Sequence, residues 1–436
     1  MSLLSKIQSR EAHITVIGLG YVGLPLAVEV AGAGFRVTGY DKSAEKVESV
    51  NRGVSYIKDV PDDALAPHVR AGRITATTDP DCLATADAVI ICVPTPLNKS
   101  KAPDNGYIIA AAADLLPRMH RDMLVVLEST TFPGFTREVL LPRLGESGLT
   151  PGEDFFLAFS PERVDPGNPH FHTRNTPKVI GGMTPRCLSA VQALYGCFID
   201  RLVTVSSTDA AEMVKLLENT FRAVNIGLAN ELAIMCQKLG LDTWEVIEAA
   251  ATKPFGFMPF YPGPGLGGHC IPVDPLYLSW KLRTLKYEAR FIEVADQVNT
   301  GMPEFVVSRI QDALNDESQP LRGAHILVMG VAYKRNIDDV RESPALDIIE
   351  MLAQKGAHVS YHDPYVPSLQ IGDHQYRSQP LADLDLARFS AVAILTDHSQ
   401  IDYARLVQGS RLIIDTRNAT RSVRPAATGS ARIVRL

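Results

Sequence analysis

A cysteine on a glycine-rich loop is the residue of this chain best suited to covalent chemistry. Residues 263–275 read Gly-Pro-Gly-Leu-Gly-Gly-His-Cys-Ile-Pro-Val-Asp-Pro, so Cys270 is followed after four residues by the carboxylate of Asp274. Glycines let a backbone approach a ligand closely, which a buried structural cysteine does not need. Upstream, Lys215 and Asn219 lie one helical turn apart and project from the same face of one predicted helix. A thiol, an ammonium and an amide together suit covalent chemistry on a carbonyl.

A second chemical motif lies near the N-terminus, where residues 18–23 read Gly-Leu-Gly-Tyr-Val-Gly. The motif follows an apolar strand and opens a helix, and a second strand then ends at Asp41, which is the context that makes such glycines a dinucleotide fingerprint. Gly18 permits the tight turn, Gly20 the approach of a pyrophosphate, and Gly23 the packing of helix on strand. Asp41 can accept hydrogen bonds from ribose hydroxyls and repels a 2′-phosphate, so the sequence predicts NAD as the cofactor.

These residues need a scaffold, and the alternation of apolar strands with helical segments predicts one. The N-terminal part alternates as a doubly wound parallel sheet does. Helical periodicity then continues over residues 209–239, and a second strand-helix alternation begins near residue 324. We therefore predict an α/β protein with two Rossmann-like doubly wound lobes joined by a central helical segment with one long helix. The expected domains are 1–205, which binds NAD, 206–317, which is helical and carries the cysteine loop, and 318–436.

The composition excludes several classes of protein. At 46% hydrophobic and 21% charged residues the usage is that of a soluble protein, and the net charge of -6 provides no basic field for nucleic acid. No stretch reaches the length of a membrane span. The cysteines are scattered without paired spacing, which predicts reduced thiols and a cytoplasmic protein. His269 stands beside Cys270, but no second thiol or histidine follows at ligand spacing, so we expect no metal there.

The cysteine loop, the Lys215–Asn219 pair and the glycine turn closely resemble the UDP-sugar 6-dehydrogenases of the UDP-glucose/GDP-mannose dehydrogenase family. The resemblance covers nearly the whole chain. Residues 159–168, Phe-Ser-Pro-Glu-Arg-Val-Asp-Pro-Gly-Asn, are more similar to the UDP-N-acetylglucosamine branch than to the UDP-glucose branch. Where the UDP-glucose branch carries a second glutamate, this chain has Pro166, so that acid-base role is vacant or has moved to Asp165.

The resemblance implies a set of site residues. The catalytic residues would be Cys270, Lys215, Asn219, Asp274, Thr130 and Glu162. The cofactor would be bound by Gly18, Gly20, Tyr21, Val22, Gly23, Asp41, Thr95, Thr130 and Arg341. The substrate would be bound by Glu162, Arg163, Lys215, Asn219, Tyr261, Gly267, Lys334 and Arg417, and residues 318–436 would form the UDP-sugar-binding lobe.

The implied reaction oxidises the C6 hydroxymethyl group of a UDP-sugar to a carboxylate in two hydride transfers, with two NAD consumed. We expect Lys215 to act as the first base, directly or through a water held by Thr130, Asn219 and Asp274. The thiol then attacks the aldehyde, and the thiohemiacetal loses a second hydride to become a thioester. Asp274 or Glu162 would activate the water that hydrolyses it. The product would be a UDP-hexuronic acid, a precursor of surface polysaccharide.

Other functions remain open at this point. Within the family the substrate could be UDP-N-acetylglucosamine, which is the first expectation, or UDP-glucose or UDP-N-acetylmannosamine. Outside it, a two-electron β-hydroxyacid dehydrogenase also couples a dinucleotide domain to a helix with a lysine and an asparagine, but it gives Cys270 no task. A non-catalytic NAD-binding scaffold would tolerate replacement of Cys270. The apolar faces of the long helix favour a homodimer or a higher even oligomer.

Overall fold

The computed structural model of the protein describes residues 1–98, 101–165, 167–168, 170–268, 270–424 and 430–436. Pro166 and His269, both named above, lie outside the described residues. The chain forms two compact units. The first comprises residues 1–218 and 276–287, and the second comprises residues 219–275 and 288–436.

The first unit is organised around a large sheet. Its strands are β1 (His13–Ile17), β2 (Arg36–Tyr40), β3 (Ile74–Thr77), β4 (Ala88–Ile91), β5 (Leu124–Leu127), β6 (Phe156–Phe159), β7 (Lys178–Gly182) and β8 (Leu202–Val205). Among the described residues, eight strands pair in the order β3-β2-β1-β4-β5-β6-β7-β8. The predicted doubly wound sheet is confirmed, with one departure. β7 runs antiparallel to β6, and the described residues between them form no crossover helix that would return the chain for a parallel strand.

Helices cover this sheet. They are α1 (Leu3–Ser9), α2 (Gly23–Gly32), α3 (Ala44–Asn51), α4 (Asp62–Arg70), α5 (Gly106–Leu115), α6 (Leu141–Gly145) and α7 (Pro185–Tyr195). Alternate residues of the strands, such as Val16, Ile90 and Val126, point to one face and pack in a core with Leu26 and Leu194 of these helices. Strands buried on both faces are continuous apolar runs, which is why the sequence signals them clearly.

The predicted long helix is confirmed as α8 (Thr208–Leu239), and it passes from the first unit into the second along the chain. The helices that follow are α9 (Thr243–Ala251), α10 (Asp274–Thr284) and α11 (Arg290–Asp316). The apolar positions of α8 are not all inside, since Leu216 is fully buried while Phe221 and Leu228 are 49% and 59% exposed. The helix therefore carries an apolar face that its own chain leaves open.

The second unit contains a smaller parallel sheet. Its strands are β9 (His325–Met329), β10 (His358–His362), β13 (Ala391–Ile394), β14 (Leu412–Asp415) and β15 (Arg432–Arg435), with a hairpin of β11 (Ser368–Ile371) and β12 (His374–Arg377) and the helices α12 (Pro344–Gln354) and α13 (Tyr403–Gly409). The strand order is β10-β9-β13-β14-β15, which repeats the β2-β1-β4-β5-β6 order of the first sheet. Separate apolar cores lie on its two faces. The predicted second Rossmann-like lobe is thus confirmed.

Candidate active site

The glycine turn after β1 has the geometry that a dinucleotide requires. Gly18 has φ of 90°, and a Cβ there would lie 2.5 Å from the carbonyl oxygen of Cys92. At Gly23 a Cβ would lie 1.8 Å from the carbonyl oxygen of Gly18, so α2 can pack on β1 only with glycine at this position. A Cβ built at Gly20 meets nothing within 4 Å, which leaves open space beside the turn. The tight turn at Gly18 and the close helix-strand contact at Gly23 have the predicted geometry, and the approach of a pyrophosphate to Gly20 stays a prediction.

The end of β2 supplies the acidic group of this site. Asp41 is half-buried, and its carboxylate accepts hydrogen bonds from the amides of Leu19 (2.8 Å) and Ser43 (2.9 Å). The predicted residues Tyr21, 53% exposed, and Val22 precede α2, whose first amides receive no side-chain cap. An uncapped helix N-terminus beside an open glycine turn and a fixed carboxylate fits the pyrophosphate and ribose of NAD.

Two further strand ends are tied together beside this turn. Ser129 follows β5 and Val93 follows β4. The Ser129 hydroxyl accepts a hydrogen bond from the amide of Val93 (2.9 Å) and donates one to the carbonyl oxygen of Val93 (2.8 Å). Thr95 is buried, and its carbonyl oxygen accepts a hydrogen bond from the Tyr277 hydroxyl at 2.9 Å. Thr130 follows Ser129 and is half-buried. The predicted cofactor residue Thr95 and the predicted water-holding residue Thr130 therefore lie on loops that one serine connects.

Glu162 lies at the end of β6, and its carboxylate is already engaged. One oxygen accepts hydrogen bonds from the amides of Arg163 and Val164 at 2.7 Å each, and the other lies 3.0 Å from the ammonium of Lys178. Burial by itself would raise the pKa of Glu162, but Lys178 and the two amides outweigh burial and hold the pKa below its ordinary value. The side chain is therefore a fixed anion and is poorly suited to accept a proton near neutral pH.

Lys215 meets the same segment through the main chain. Its ammonium donates a hydrogen bond to the carbonyl oxygen of Glu162 at 2.6 Å. The neighbouring Arg163 pairs with Glu218 at 2.6 Å and donates to the carbonyl oxygen of Pro177 at 2.6 Å. The structure thus brings together the predicted residues Lys215, Glu162 and Arg163 within the first unit.

Glu212 was not predicted, yet it is fully buried at the start of α8. Its carboxylate accepts hydrogen bonds from the amides of Gly134 (2.6 Å) and Thr136 (2.8 Å) and from the hydroxyls of Thr136 (2.6 Å) and Thr131 (3.4 Å). Burial raises the pKa of Glu212 to about 7, although these donors oppose the shift. This side chain holds the segment after β5 against the helix that carries Lys215.

The second unit contains the thiol. Cys270 is exposed, and its carbonyl oxygen accepts hydrogen bonds from the amides of Val273 (3.1 Å) and Asp274 (2.8 Å) where α10 begins. Asp274 is 3% exposed, and its carboxylate accepts a short hydrogen bond from the side-chain amide of Asn219 on α8. The structure therefore joins three predicted residues, Asn219, Asp274 and Cys270, in one small constellation.

The cysteine loop is anchored at both ends of its glycine run. The amide of Gly263 donates to the side chain of Asn230 on α8 at 2.9 Å, and Asn230 in turn donates to Asn299 on α11 at 2.8 Å. The amide of Gly268 donates to the carbonyl oxygen of Arg341 at 3.0 Å. A Cβ at the predicted substrate residue Gly267 would lie 2.6 Å from Tyr333, so this glycine is needed for the approach of the two segments.

The predicted nucleotide-binding cations of the second unit lie on two loops, one after β9 and one after β14. Lys334 is half-buried after β9, and the Arg341 guanidinium is held by Asp339 at 2.7 Å. Arg417, after β14, donates to the carbonyl oxygen of Leu395 at 3.0 Å, and burial lowers the pKa of its guanidinium. The predicted sugar-pocket residue Tyr261 is 43% exposed and stacks on Trp244. Their contacts with a ligand stay a prediction.

Sequence reasoning missed Lys178, Glu128, Tyr195 and Glu212. The one available signal was a charge next to an apolar strand: Lys178 begins β7, and Glu128 directly follows β5. The cysteines, all six of which are described, form no disulfide. Over the described ranges there is no group of three or more histidine, cysteine or acidic side chains that could hold a metal ion, nor a helix with the length and apolar character needed to cross a membrane.

The fold and the site define a class of protein: a dinucleotide-dependent dehydrogenase with a second nucleotide-type lobe and a loop cysteine. Comparison with known families agrees. Residues 12–199 match the NAD binding domain of the UDP-glucose/GDP-mannose dehydrogenase family, residues 209–301 its central domain, and residues 327–422 its UDP binding domain. The chain belongs to this family, and the predictions of NAD as cofactor and of an NAD-dependent UDP-sugar dehydrogenase are confirmed.

Individual relatives match over nearly their whole length. The chain is 38% identical over 426 residues to an NDP-N-acetyl-D-galactosaminuronic acid dehydrogenase of Ralstonia nicotianae, covering 95% of this chain and 97% of the relative. It is 36% identical to a UDP-N-acetyl-D-glucosamine 6-dehydrogenase of Pseudomonas aeruginosa, with 90% and 92% covered. The solved structure of UDP-D-ManNAc dehydrogenase from Pyrococcus horikoshii superposes with a TM-score of 0.88 at 34% identity, covering 97% of this chain and 98% of that one.

Proposed function

We propose that this protein oxidises the C6 hydroxymethyl group of a UDP-N-acetylhexosamine to the carboxylate, and that UDP-N-acetylglucosamine is its substrate. The observation that carries the proposal is the Cys270 constellation: an exposed cysteine just before α10, whose carbonyl oxygen accepts a hydrogen bond from the amide of Asp274, and a buried Asp274 carboxylate that the side-chain amide of Asn219 on α8 holds. A two-electron dehydrogenase has no use for such a thiol, whereas a four-electron oxidation needs a nucleophile for the aldehyde. The family membership supports the same reaction.

The first oxidation requires a base at the C6 hydroxyl. When bound, NAD accepts one hydride in each of the two oxidations. Lys215 takes the hydroxyl proton, directly or through a water molecule. Its hydrogen bond to the carbonyl oxygen of Glu162 fixes the direction of the amine. Thr130, Asn219 and Asp274 are the residues that we assign to that water.

The second oxidation is covalent. The thiolate of Cys270 adds to the aldehyde carbon, so a C–S bond forms and the carbonyl oxygen becomes an oxyanion. The ammonium of Lys215 and the amide of Asn219 stabilise that oxyanion. Loss of the second hydride converts the thiohemiacetal to a thioester. Water then adds to the thioester, the C–S bond breaks, and the carboxylate leaves with the thiol restored.

The hydrolytic water needs a base, and we assign this role to Asp274 rather than Glu162. Both oxygens of Glu162 are engaged and its pKa is lowered, so it is a weak proton acceptor. The Asp274 carboxylate accepts a hydrogen bond from the side-chain amide of Asn219, and Asp274 lies four residues along the chain from the cysteine that carries the acyl group. Asp165 and Pro166, at the position where the UDP-glucose branch has its second glutamate, are left without a role in hydrolysis.

The three-domain division keeps its roles in this proposal. Residues 1–205 bind NAD through Gly18, Gly20, Gly23 and Asp41, with Thr95 and Arg341 as further contacts. Residues 206–317 provide the long helix and the thiol loop. Residues 318–436 hold the UDP group, with Lys334 and Arg417 as the cations that offset its diphosphate in an otherwise acidic chain.

The choice of sugar rests on the relatives and on one segment of the chain. The three relatives described above are named for N-acetylated or N-acetyl-derived sugars of different configuration. Residues 253–262 are rich in aromatic residues and proline, and with Arg163 they are our candidates for the sugar pocket. UDP-N-acetylmannosamine, UDP-N-acetylgalactosamine and UDP-glucose are the alternatives. NAD and nucleotide sugars are intracellular metabolites, so we assign the reaction to the cytoplasm and the product to surface polysaccharide synthesis.

The test is NAD reduction with these four UDP-sugars side by side, with the NADH formed and the sugar consumed both counted. Two NADH per UDP-N-acetylglucosamine, with little turnover of the other sugars, is the expected result. Two NADH with another of the four would keep the chemistry and refute the choice of sugar. One NADH per sugar would refute the thioester route and favour a β-hydroxyacid dehydrogenase type of reaction.

The open face of α8 fits a second copy of this chain. Phe221, Leu228 and Met235 recur every seven residues and are 49%, 59% and 41% exposed, which is the spacing of a helix-helix seam. We propose a homodimer, or a higher even oligomer, that pairs this face with itself. Light scattering on the purified protein should give an even multiple of the 47.5 kDa chain, and Phe221→Glu/Leu228→Glu should lower it. A monomer for the unchanged protein would contradict this proposal.

A further inference from the structure

One buried lysine connects two of the strand ends at the candidate active site. In the antiparallel pair of β6 and β7, Phe159 lies opposite Gly181, and continuing this register brings Lys178 level with Glu162 beyond the end of β6. The ammonium of Lys178 lies 3.0 Å from Glu162 and 2.8 Å from Glu128, which follows β5. Lys178 is 3% exposed, so both ion pairs are shielded from water.

The partners of Lys178 are fully engaged on their other sides. The Glu162 carboxylate accepts hydrogen bonds from the amides of Arg163 and Val164. The Glu128 carboxylate accepts a short hydrogen bond from the hydroxyl of the buried Tyr195. Two carboxylates and one ammonium leave the cluster with a net charge of -1. A buried group of this kind is stable only while each charge keeps its partner, so the cluster has one fixed arrangement.

Each carboxylate belongs to a segment with a predicted site residue. Glu128 is followed by Ser129, which binds the loop after β4, and by Thr130. The carbonyl oxygen of Glu162 receives the ammonium of Lys215 at 2.6 Å. A movement of Lys178 would therefore shift Thr130 through Glu128 and Lys215 through Glu162, although Lys178 itself lies on neither segment.

We infer that Lys178 is a positioning residue for the oxidation: it fixes Glu162 as an anion whose main-chain oxygen orients Lys215, and through Glu128 it fixes the Thr130 segment. The inference rests on the proposed function, in which Lys215 is the base. It also gives Glu162 a role that does not need proton transfer. Burial raises the pKa of Glu128, against the opposing effect of Lys178, whereas the pKa of Glu162 is lowered. A proton entering the cluster therefore goes to Glu128, and Glu162 stays ionised.

The test compares three variants. Lys178→Met removes the tether but leaves two buried carboxylates unpaired, and it is at risk of misfolding. Lys178→Met/Glu128→Gln removes the tether and keeps the net charge at -1, because only Glu162 then remains ionised. Lys178→Arg keeps a cation. For each variant, kcat, both KM values, NAD affinity by fluorescence and the melting midpoint are measured against the unchanged protein.

We expect the double variant to melt near the unchanged protein and to bind NAD with the same affinity, but to lose kcat by about 10²-fold while both KM values change less than about threefold. Lys178→Arg should recover most of the lost kcat. A folded double variant with kcat within about threefold of the unchanged protein would overturn the inference, as would a parallel loss of kcat, NAD affinity and melting midpoint.

A second readout does not depend on turnover. Acetic anhydride labels accessible lysines, and peptide mass spectrometry gives the labelling rate of Lys215 relative to Lys238, an exposed lysine of the same helix. The ratio should rise several-fold in the double variant, because the hydrogen bond from Lys215 to the carbonyl oxygen of Glu162 is weakened there. An unchanged ratio would contradict the inference. If the unchanged protein reduced no NAD with any UDP-sugar, the proposed function would fail, while this ratio would still decide the role of Lys178.

Discussion

The two Rossmann-like lobes place an aspartate at the same point and use it differently. In the first lobe, Gly18 follows β1 with φ of 90°, and the carboxylate of Asp41, after β2, accepts a hydrogen bond from the amide of Leu19 at 2.8 Å. In the second lobe, Gly330 follows β9 with φ of 80°, and the carboxylate of Asp363, after β10, accepts a hydrogen bond from the amide of Val331 at 2.7 Å. The local geometry is thus repeated without repetition of the sequence motif.

The surroundings of the two carboxylates differ. Asp41 is half-buried, and besides the Leu19 amide its partners are the amide of Ser43 and the ammonium of Lys46 at 3.6 Å. Asp363 is 3% exposed and lies 2.9 Å from Nε2 of the fully buried His398. Nδ1 of His398 accepts a hydrogen bond from the amide of Asn336, so the ring proton is on Nε2. Nε2 therefore donates its hydrogen bond to Asp363. The carboxylate of the second lobe is therefore internal, and it orders the loop that carries Lys334.

The comparison teaches that a repeated fold does not imply a repeated ligand contact. In the first lobe the aspartate lies beside the glycine turn and is only half-buried, and binding of the ribose hydroxyls of NAD by Asp41 stays our prediction. In the second lobe the carboxylate of the equivalent residue, Asp363, is occupied by internal hydrogen bonds. The nucleotide of this lobe therefore has to be bound by other groups, for which Lys334 and Arg417 are our candidates. In the proposed function, the covalent chemistry belongs to the loop of Cys270 and to neither nucleotide site.

The largest effect that we predict separates the thiol from both nucleotide sites. Cys270→Ala should lower kcat for complete oxidation by more than about 10³-fold, because no other group can form the thioester. The affinities for NAD and for UDP, measured by calorimetry, should stay within about twofold. Cys236→Ala, at a buried cysteine of α8, is the control. Near-normal turnover of the Cys270 variant would place the chemistry elsewhere.

The next prediction concerns stability of the second lobe. Burial opposes ionisation of Asp363, but hydrogen bonds from His398 and Val331 outweigh it and lower the pKa of the aspartate. The resulting stabilisation is fully present above the unfolded pKa of 3.8 and is lost as pH falls further. Asp363→Asn should reduce the free energy of unfolding by about 1.5–3 kcal/mol at pH 7, measured by urea denaturation, because buried donors lose a charged acceptor. A loss below about 1 kcal/mol would remove the distinction between the two aspartates.

Glu212 of the first unit should show the opposite pH dependence. Its pKa is raised from 4.5 to about 7, so the stabilisation that it provides is present below pH 4.5 and is lost as pH rises through about 7. Relative to Glu212→Gln, the free energy of unfolding of the unchanged protein should fall by up to about 3 kcal/mol between pH 5 and pH 8. Glu231→Gln, at an exposed glutamate of the same helix, should leave that slope unchanged. Parallel curves for Glu212→Gln and the unchanged protein would refute this.

The smallest predicted effects are a reciprocal pair of affinity changes. Asp41→Asn should raise KM for NAD by about 10-fold with little change for the UDP-sugar, since it weakens one charge-assisted contact to the ribose. Lys334→Met should raise KM for the UDP-sugar by a similar factor and leave that for NAD unchanged. Steady-state kinetics with each substrate varied in turn makes this comparison. If either variant altered both KM values equally, the assignment of one nucleotide to each lobe would be wrong.

What the sequence predicted well is local or periodic. The glycine turn, Asp41, the long helix and the thiol loop are each contained in a short segment whose spacing specifies its geometry. The cluster around Lys178 could not be predicted, because its contact with Glu128 joins residues 50 positions apart and depends on the antiparallel return of β7. Glu212 reaches Thr131 across 81 positions for the same reason. Long-range pairing of charges leaves no pattern in one sequence.

The most direct test of the central claim is to find the substrate on the thiol. The protein and its Asp274→Asn variant, in which hydrolysis should be slowed, are mixed with NAD and UDP-N-acetylglucosamine, quenched in acid and digested for peptide mass spectrometry. We predict an acyl adduct of the UDP-sugar on the peptide with Cys270, more abundant in the variant and released by hydroxylamine. Formation of two NADH per sugar with no adduct on Cys270, or with the adduct on another residue, would contradict the account.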